Sequence, residues 1–163
     1  MPDDLLDTYD CLIESQAIPF EAITRPDDWH LTAIVLPSFQ PETIYDLDHR
    51  AGHSLFYRTR FLTSAWTALF AAREAKGVVQ PLPVERACAK LPPDHPLVRR
   101  VAGEHLFRMT DVDTLGCDGT TYTVIFAYHG GALRLTGWEA VNQSAWRQLF
   151  DDIDGAVQLL PGQ

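Results

Sequence analysis

Residues 120–138, TTYTVIFAYHGGALRLTGW, are the part of the chain that most directly predicts its fold. Residues 120–128 and 132–138 are both rich in β-branched and aromatic side chains, which favour strands. Between them, Gly130 and Gly131 can adopt the positive φ angles that a two-residue hairpin turn requires. The sequence therefore predicts a β-hairpin at this place.

A final amphipathic helix is predicted after the hairpin. Asn142 or Ser144 is expected to cap its first turn, and the helix is expected to continue to Leu160, before Pro161 and Gly162 end it. Apolar side chains recur at helical spacing along one side of this segment, at Trp146, Leu149, Phe150, Ile153, Val157 and Leu160. This side is expected to pack against the hairpin.

The rest of the chain extends the hairpin into a small sheet. Three further strands are predicted at residues 29–36, 43–47 and 54–61. Helices are predicted at residues 3–16 and from Thr63 or Ser64 to Lys76, just before Gly77. Neighbouring strands joined by short turns favour antiparallel pairing. We therefore predict a single α+β domain over residues 1–163, with an antiparallel sheet of about five strands and helices packed mainly on one face.

A proline-rich segment, residues 78–96, separates the second predicted helix from the hairpin region. Because proline removes a backbone donor and breaks helices and ladders, the segment is predicted to be irregular. Pro83 is expected to open a short helix that ends at Lys90. The apolar residues of 97–108 fit neither a helical nor a strand period, so both assignments stay open there.

Charge excludes two classes of partner. The chain has 163 residues, with 22 acidic and 13 basic side chains, a net charge of -9 and a pI near 4.9. Binding to a phosphate backbone or to an anionic membrane surface needs a basic face. We therefore expect neither a nucleic acid nor a membrane as partner. The acidic residues are concentrated in residues 1–28, where eight of them stand against Arg25 alone.

The cysteines and the N-terminal residues indicate the compartment. Cys11, Cys88 and Cys117 are odd in number and widely spaced, with no C-x-x-C pair, so neither a disulfide framework nor a thiolate zinc site is predicted. The first residues are acidic where a signal peptide would be basic. We expect three reduced thiols and a cytoplasmic protein.

No motif predicts catalysis or a cofactor. The sequence lacks G-x-S-x-G, G-x-G-x-x-G and Walker A patterns. The densest group of possible metal ligands is Asp46, Asp48, His49 and His53, but Gly52 favours a strand, turn and strand over a metal-binding helix. We assign no catalytic residue, no metal ligand and no cofactor. We therefore favour a binding protein over an enzyme. A small enzyme whose site is assembled in space remains an alternative.

Arginine alternates with aromatic residues in the third predicted strand. Phe56, Arg58 and Arg60 share one face of that strand because side chains alternate along it. Together with Arg134 on the hairpin, they predict a polar sheet face that would bind a partner if it were exposed. The alternative is that a helix covers this face and the arginines pair with carboxylates at its rim.

Residues 118–160 resemble a known family. The series Asp118-Gly119-Thr120-x-Tyr122, a strand, Gly130-Gly131, Arg134, Trp138 and a closing amphipathic helix is similar to the C-terminal part of small bacterial immunity proteins. The resemblance implies a protein that neutralises a toxin, delivered by contact-dependent or type VI secretion, through direct binding without catalysis. The order of elements also resembles small acidic dimeric type III secretion chaperones, which are the alternative binding class.

These observations lead to one functional prediction. We expect a protein-binding module, an immunity-type inhibitor of a basic toxin domain, which is a monomer or a homodimer. The carboxylates of Asp3, Asp4, Asp7 and Asp10 would steer the basic partner, because complementary charge raises association rates. Exposed aromatic side chains and the arginine-bearing face would supply the contacts.

Overall fold

The strand Trp29–Pro37 (β1) lies at the centre of a six-stranded sheet in a computed structural model of the chain. The remaining strands are β2 (Thr43–Arg50), β3 (His53–Phe61), β4 (Val84–Leu91), β5 (Thr120–Tyr128) and β6 (Gly131–Trp138). Their order across the sheet is β4-β3-β2-β1-β5-β6, and every neighbouring pair is antiparallel. The hairpin that the sequence predicts, β5 and β6, therefore forms one edge of the sheet.

In the part of the chain that the structure describes, four α-helices accompany the sheet: α1 (Asp3–Glu14), α2 (Ala65–Glu74), α3 (Pro96–Ala102) and α4 (Ser144–Val157). Short 3-10 helices lie at His105–Arg108 and Ala140–Asn142. The structure describes residues 3–19, 23–38, 40–77, 81–103, 105–112 and 119–162, without the side chains of residues 3–6 and 105. Within these ranges no helix has the length and apolar character required to cross a bilayer.

Strand β1 is buried on both of its sides. Leu31 and Ala33 belong to one apolar cluster and Ile34 to another, because successive side chains point to opposite faces of the sheet. We name the two sides the α4 face, which carries Leu31 and Ala33, and the α1 face, which carries His30, Thr32 and Ile34. A strand that is apolar on both sides needs cover on both sides, which only two helical layers can supply.

The helices are therefore divided between the two faces. On the α4 face, Trp146, Leu149 and Ile153 of α4 pack with α3 and the sheet in the larger core cluster. On the α1 face, Ile13 of α1 and Ala65 of α2 pack against the sheet in a smaller one. The predicted single α+β domain with an antiparallel sheet is confirmed, but the sheet has a sixth strand and its helices cover both faces.

The sixth strand, β4, corrects the prediction of a short helix from Pro83 to Lys90 in an irregular segment. The prolines flank the strand and do not interrupt it, so each of its residues can pair with β3. Ala87, Ala89 and Leu91 alternate toward the α4 face, which is the period of a strand. The exposed Glu85, Arg86 and Lys90 keep this edge charged, which protects it from pairing with another chain.

Two boundaries also differ from the predictions. The β5–β6 turn consists of His129 and Gly130, because Gly131 already pairs with Tyr128, and Gly130 has the positive φ of 102°. The prediction of Gly130-Gly131 as the turn was therefore wrong by one residue. Helix α4 starts at Ser144 with Gln143 as its N-cap.

The structure assigns the secondary structure of residues 97–108 and the N-cap of α2, for both of which the sequence allowed two alternatives. The undecided residues 97–108 contain most of α3 and a 3-10 helix. Of the two predicted N-caps of α2, Thr63 and Ser64, the structure shows Ser64. Its side chain accepts a hydrogen bond from the backbone N–H of Thr67 at 3.4 Å.

Candidate functional site

Helix α1 presents an acidic side away from the sheet. Ile13 is buried and Tyr9 is half-buried, whereas Asp7 and Asp10 are exposed. The predicted partner-binding residues Asp3 and Asp4 lie in the first turn of the same helix, and their side chains are outside the described part of the structure. The helix therefore separates its apolar contacts from its carboxylates, as its amphipathic pattern predicts.

The neighbouring carboxylates of α1 affect the pKa of Asp10. Partial burial raises the pKa of Asp10 above its ordinary value. The cationic Arg134 opposes this rise, and the neighbouring carboxylates Glu14 and Asp7 add to it. A positive group that approached this side of α1 would relieve the repulsion between the carboxylates.

A row of aromatic rings continues the surface from α1 onto α2. The ring centroid of Tyr9 lies 5.2 Å from that of Trp66 in an edge-on contact, and Trp66 lies 4.9 Å from Phe70. Phe70 leaves 37% of its surface exposed. We call Tyr9, Trp66 and Phe70 together with Asp7 and Asp10 the α1–α2 surface. It combines aromatic side chains of the type that anchor interfaces with negative charge of the type that steers a partner.

The carboxylate of Glu42 joins the two helices beneath this surface. Glu42 precedes β2 and is only 1% exposed. Its Oε1 accepts hydrogen bonds from the Tyr9 hydroxyl at 3.0 Å and the Ser64 hydroxyl at 3.2 Å. Its Oε2 accepts one from the backbone N–H of Ala65 at 2.8 Å, at the N-terminus of α2. A buried anion at a helix N-terminus is stabilised by the free N–H groups and the helix dipole.

The structure does not bring the predicted arginine-bearing face together. Phe56 is buried on the α4 face, where it stacks on Tyr45 at 6.1 Å and serves as core. Arg58 and Arg60 follow it on the same side of β3, half-buried and exposed respectively. Arg134 points to the opposite face, where its Nη1 donates to Oε1 of Glu14 at 2.6 Å. The four residues therefore form no common surface, because three strands lie between β3 and β6 and Arg134 has the other phase of alternation.

A polar cleft of about 450 Å³ opens on the α4 face. It lies where β1 ends and β5 begins, between the sheet and α4. The lining side chains are Val35, Tyr45, Tyr122, Val141, Asn142, Arg147, Phe150, Asp151 and Asp154. Its volume is within the range of small-molecule sites, and it combines aromatic walls with several charged groups.

Two groups in this cleft, Asp154 and Tyr45, have pKa values above their ordinary ones. Burial raises the pKa of Asp154, and the neighbouring Asp151 adds to the rise. Burial also raises the pKa of Tyr45, with Asp154 contributing further and Arg58 opposing the rise. Perturbed acidic groups that converge on a cleft are a common sign of a binding or catalytic site.

A cluster of polar side chains is also buried on the α1 face, and its members are joined by hydrogen bonds. His30 is 2% exposed, and its Nδ1 lies 3.1 Å from Oδ1 of Asp48. Its Nε2 lies 3.1 Å from the Thr32 hydroxyl, which donates to Oδ1 of Asp46 at 2.6 Å. Oδ2 of Asp46 accepts a hydrogen bond from the backbone N–H of Ile18. The group thus ties the chain segment after α1 to β1 and β2.

The predicted turn at His49 and His53 forms as a two-residue hairpin loop. His49 bonds to the Ser54 hydroxyl at 2.8 Å and stacks on Trp29 at 4.9 Å, so it has a structural role. Ala51 and Gly52 occupy the turn with positive φ angles of 49° and 78°. Among the described residues, no three histidine, cysteine, aspartate or glutamate side chains are grouped so that they could hold a metal ion.

The cysteines are exposed where the structure describes them. Cys11 on α1 and Cys88 on β4 are free thiols. Cys117 lies outside the described residues.

Comparison of the chain with protein families, with curated proteins and with solved structures finds no match. The candidate sites therefore rest on their own geometry. The acidic side of α1 was predictable from the sequence, whereas the positions of Glu42, Tyr45 and Asp154 were not. Only the spacing of Asp151 and Asp154, three residues apart on a predicted helix, was a readable signal for the cleft.

Proposed function

We propose that this chain is a protein-binding module of the immunity type, which inhibits a bacterial toxin by binding it with the α1–α2 surface. One observation carries the proposal: the exposed carboxylates of Asp7 and Asp10 lie on the helix whose Tyr9 begins the aromatic row. Charge that steers a partner and rings that anchor it are thereby combined on one side of the molecule.

The chemistry of this surface selects a basic protein as partner. Its carboxylates repel phosphate groups, which disfavours nucleic acids and anionic membranes. Phe70 and Trp66 offer apolar area that a protein partner can cover, and burial of such area stabilises a complex. A lysine- or arginine-rich face with an apolar centre is the complementary surface, and a basic toxin domain can supply it.

The firm attachment of α1 to α2 supports the same proposal. Glu42 accepts hydrogen bonds from Tyr9 on α1 and from the first turn of α2, so the two helices are held in one arrangement before any partner arrives. A surface that is ordered in advance loses less conformational entropy on binding than a mobile one.

The test begins with the partner and continues with its kinetics. The tagged chain is used to isolate a partner from its source cells, and association and dissociation rates are then measured with the purified pair. Replacement of Asp3, Asp4, Asp7 and Asp10 by asparagine should slow association at low salt, with a smaller effect on dissociation. The difference should shrink as salt is raised, because the Debye length falls to about 10 Å at 0.1 M.

An aromatic variant tests the anchor separately. Phe70→Ala should speed dissociation about tenfold or more, as loss of a hot-spot side chain does. Phe107→Ala is the matched control, because Phe107 is also exposed, at 50%, but contacts Phe126 on the α4 face. If Phe70→Ala and the four-asparagine variant both bind with unchanged kinetics, the proposed surface is wrong. If the pure protein turns over a small molecule without any partner, the enzyme alternative replaces the proposal.

A further inference from the structure

The polar cleft on the α4 face is separate from the α1–α2 surface. Tyr45 and Tyr122 project into it from β2 and β5, and Phe150 projects from α4. The rings of Tyr122 and Phe150 contact each other at 4.8 Å and 64°. The sheet itself lies between this cleft and α1, so a partner on the α1–α2 surface leaves the cleft open.

Two carboxylates at the α4 side of the cleft make no ion pair in the part of the chain that the structure describes. Asp151 and Asp154 are three residues apart on α4, which places them on the same side of the helix. In the part of the chain that the structure describes, neither makes an ion pair or a hydrogen bond from its side chain. An uncompensated negative pair beside aromatic faces attracts a cation electrostatically and through the ring quadrupoles.

The cations near the cleft form no ion pair with these two carboxylates among the described residues. Arg147 lines the cleft one helical turn before Asp151, but its Nε donates to the backbone carbonyl of Val141 at 3.1 Å. Arg58 and Arg60 act on Tyr45 from β3, and neither is part of the cleft lining. The negative end of the cleft therefore lies at Asp151 and Asp154, with Tyr45 and Phe150 as its apolar walls.

We propose that this cleft binds a small organic cation, with an ammonium or guanidinium group placed between the Asp151 and Asp154 carboxylates and the rings of Tyr45 and Phe150. A guanidinium suits the site well, because it can donate to two carboxylates and stack on an aromatic face at the same time. A bare metal ion is a poorer occupant, because hard cations take six or more oxygen ligands and no three acidic, histidine or cysteine side chains are grouped among the described residues.

The experiment compares two probes of the same shape and different charge. Butylguanidinium and its neutral analogue butylurea are titrated into the full chain at low salt, and binding is followed by amide chemical shifts. We expect saturable shifts with butylguanidinium at residues of α4, β2 and β5, and affinity for butylurea weaker by about tenfold or more, as loss of charge-assisted bonds implies. Equal affinity for both probes, or tighter binding of pentanoate, would overturn the proposal.

Conservative variants locate the site. Asp154→Asn and Asp151→Asn keep the shape of the side chain and should each weaken butylguanidinium about tenfold. Asp27→Asn is the matched control, because it removes one exposed carboxylate near the start of β1, at the far end of the strand from Val35. If the control weakens binding as much as Asp154→Asn does, the probe responds to net charge alone and the assignment to the cleft is wrong. Failure of the toxin-binding proposal would leave these outcomes unchanged, because the two surfaces share no residue.

Discussion

Replacement of Glu42 by glutamine tests the central link between α1 and α2. The substitution keeps the volume and one carbonyl oxygen of the side chain but removes its charge and turns the second oxygen into an NH₂ group. In the native protein Oε1 accepts from Tyr9 and Ser64, with the N–H of Trp66 at 3.4 Å, and Oε2 accepts from the N–H of Ala65. The backbone N–H groups of Ala65 and Trp66 can only donate, so an amide in either orientation places its NH₂ against one of them.

The magnitude follows from the number of bonds that are lost. In the better orientation glutamine keeps its oxygen at the Oε1 position and loses only the bond from Ala65. A hydrogen bond to a charged group contributes about 1.5–3 kcal/mol, and the interaction of a carboxylate with a helix N-terminus contributes about 0.3–1 kcal/mol. We therefore expect Glu42→Gln to lower the free energy of unfolding by about 2–4 kcal/mol.

Urea unfolding monitored by tryptophan fluorescence and by circular dichroism measures this loss. Glu74→Gln is the matched control, since Glu74 is an exposed residue of α2, and surface changes of this kind usually stay within about 0.5 kcal/mol. A double-mutant cycle with Tyr9→Phe isolates the contribution of the bond between the helices. If Glu42→Gln proves as mild as Glu74→Gln, the carboxylate is not the link between the helices, and the argument for a surface ordered in advance is refuted.

Three further outcomes are expected. Burial and Glu42 raise the pKa of Tyr9 far above its ordinary value of 10.0, so the unfolded chain ionises first and the native state loses stability as pH rises above 10. Urea titrations from about pH 9 upward, which begin below the ordinary tyrosine pKa, measure this loss. The Tyr9→Phe variant should lose stability less steeply than the native protein as the pH rises. The raised pKa of Asp154 means that its ionised form is penalised in the native state, so Asp154→Asn should slightly raise the free energy of unfolding at neutral pH. Thermal unfolding should show this gain disappear as the pH falls below the ordinary aspartate value of 3.8, and a gain that persists in acid would contradict it. Gly137→Ala should cost about 1–3 kcal/mol, because the added Cβ would lie 2.8 Å from Cβ of Val112 and 2.9 Å from Cβ of Ala140. Gly155→Ala meets nothing within 4 Å inside α4 and should instead stabilise the protein by about 0.5–1 kcal/mol, so equal effects of the two alanines in urea unfolding would contradict the packing argument.

The elements with local signals were largely predictable from the sequence. The composition of residues 120–138 predicts the β5–β6 hairpin, and the spacing of Trp146, Leu149 and Ile153 predicts α4, because both depend on side chains close in the chain. The acidic outer side of α1 follows in the same way from the positions of Asp7 and Asp10. The spacing of apolar side chains over a short run of residues distinguishes a strand from a helix, so these elements can be recognised from the sequence alone.

Tertiary structure alone decided what depends on pairing between distant segments. The residues of β4 have weak intrinsic preference for a strand, and they form one because β3 offers a free edge. Arg134 faces α1 and Arg58 faces α4 because the register of the four pairings from β3 to β6 sets the relative phase of these strands. The same long-range packing places Glu42 beneath Tyr9 and Asp154 beside Tyr45. Chain segments 33 and more than 100 residues apart meet there, and burial of apolar surface on both faces of β1 brings them together.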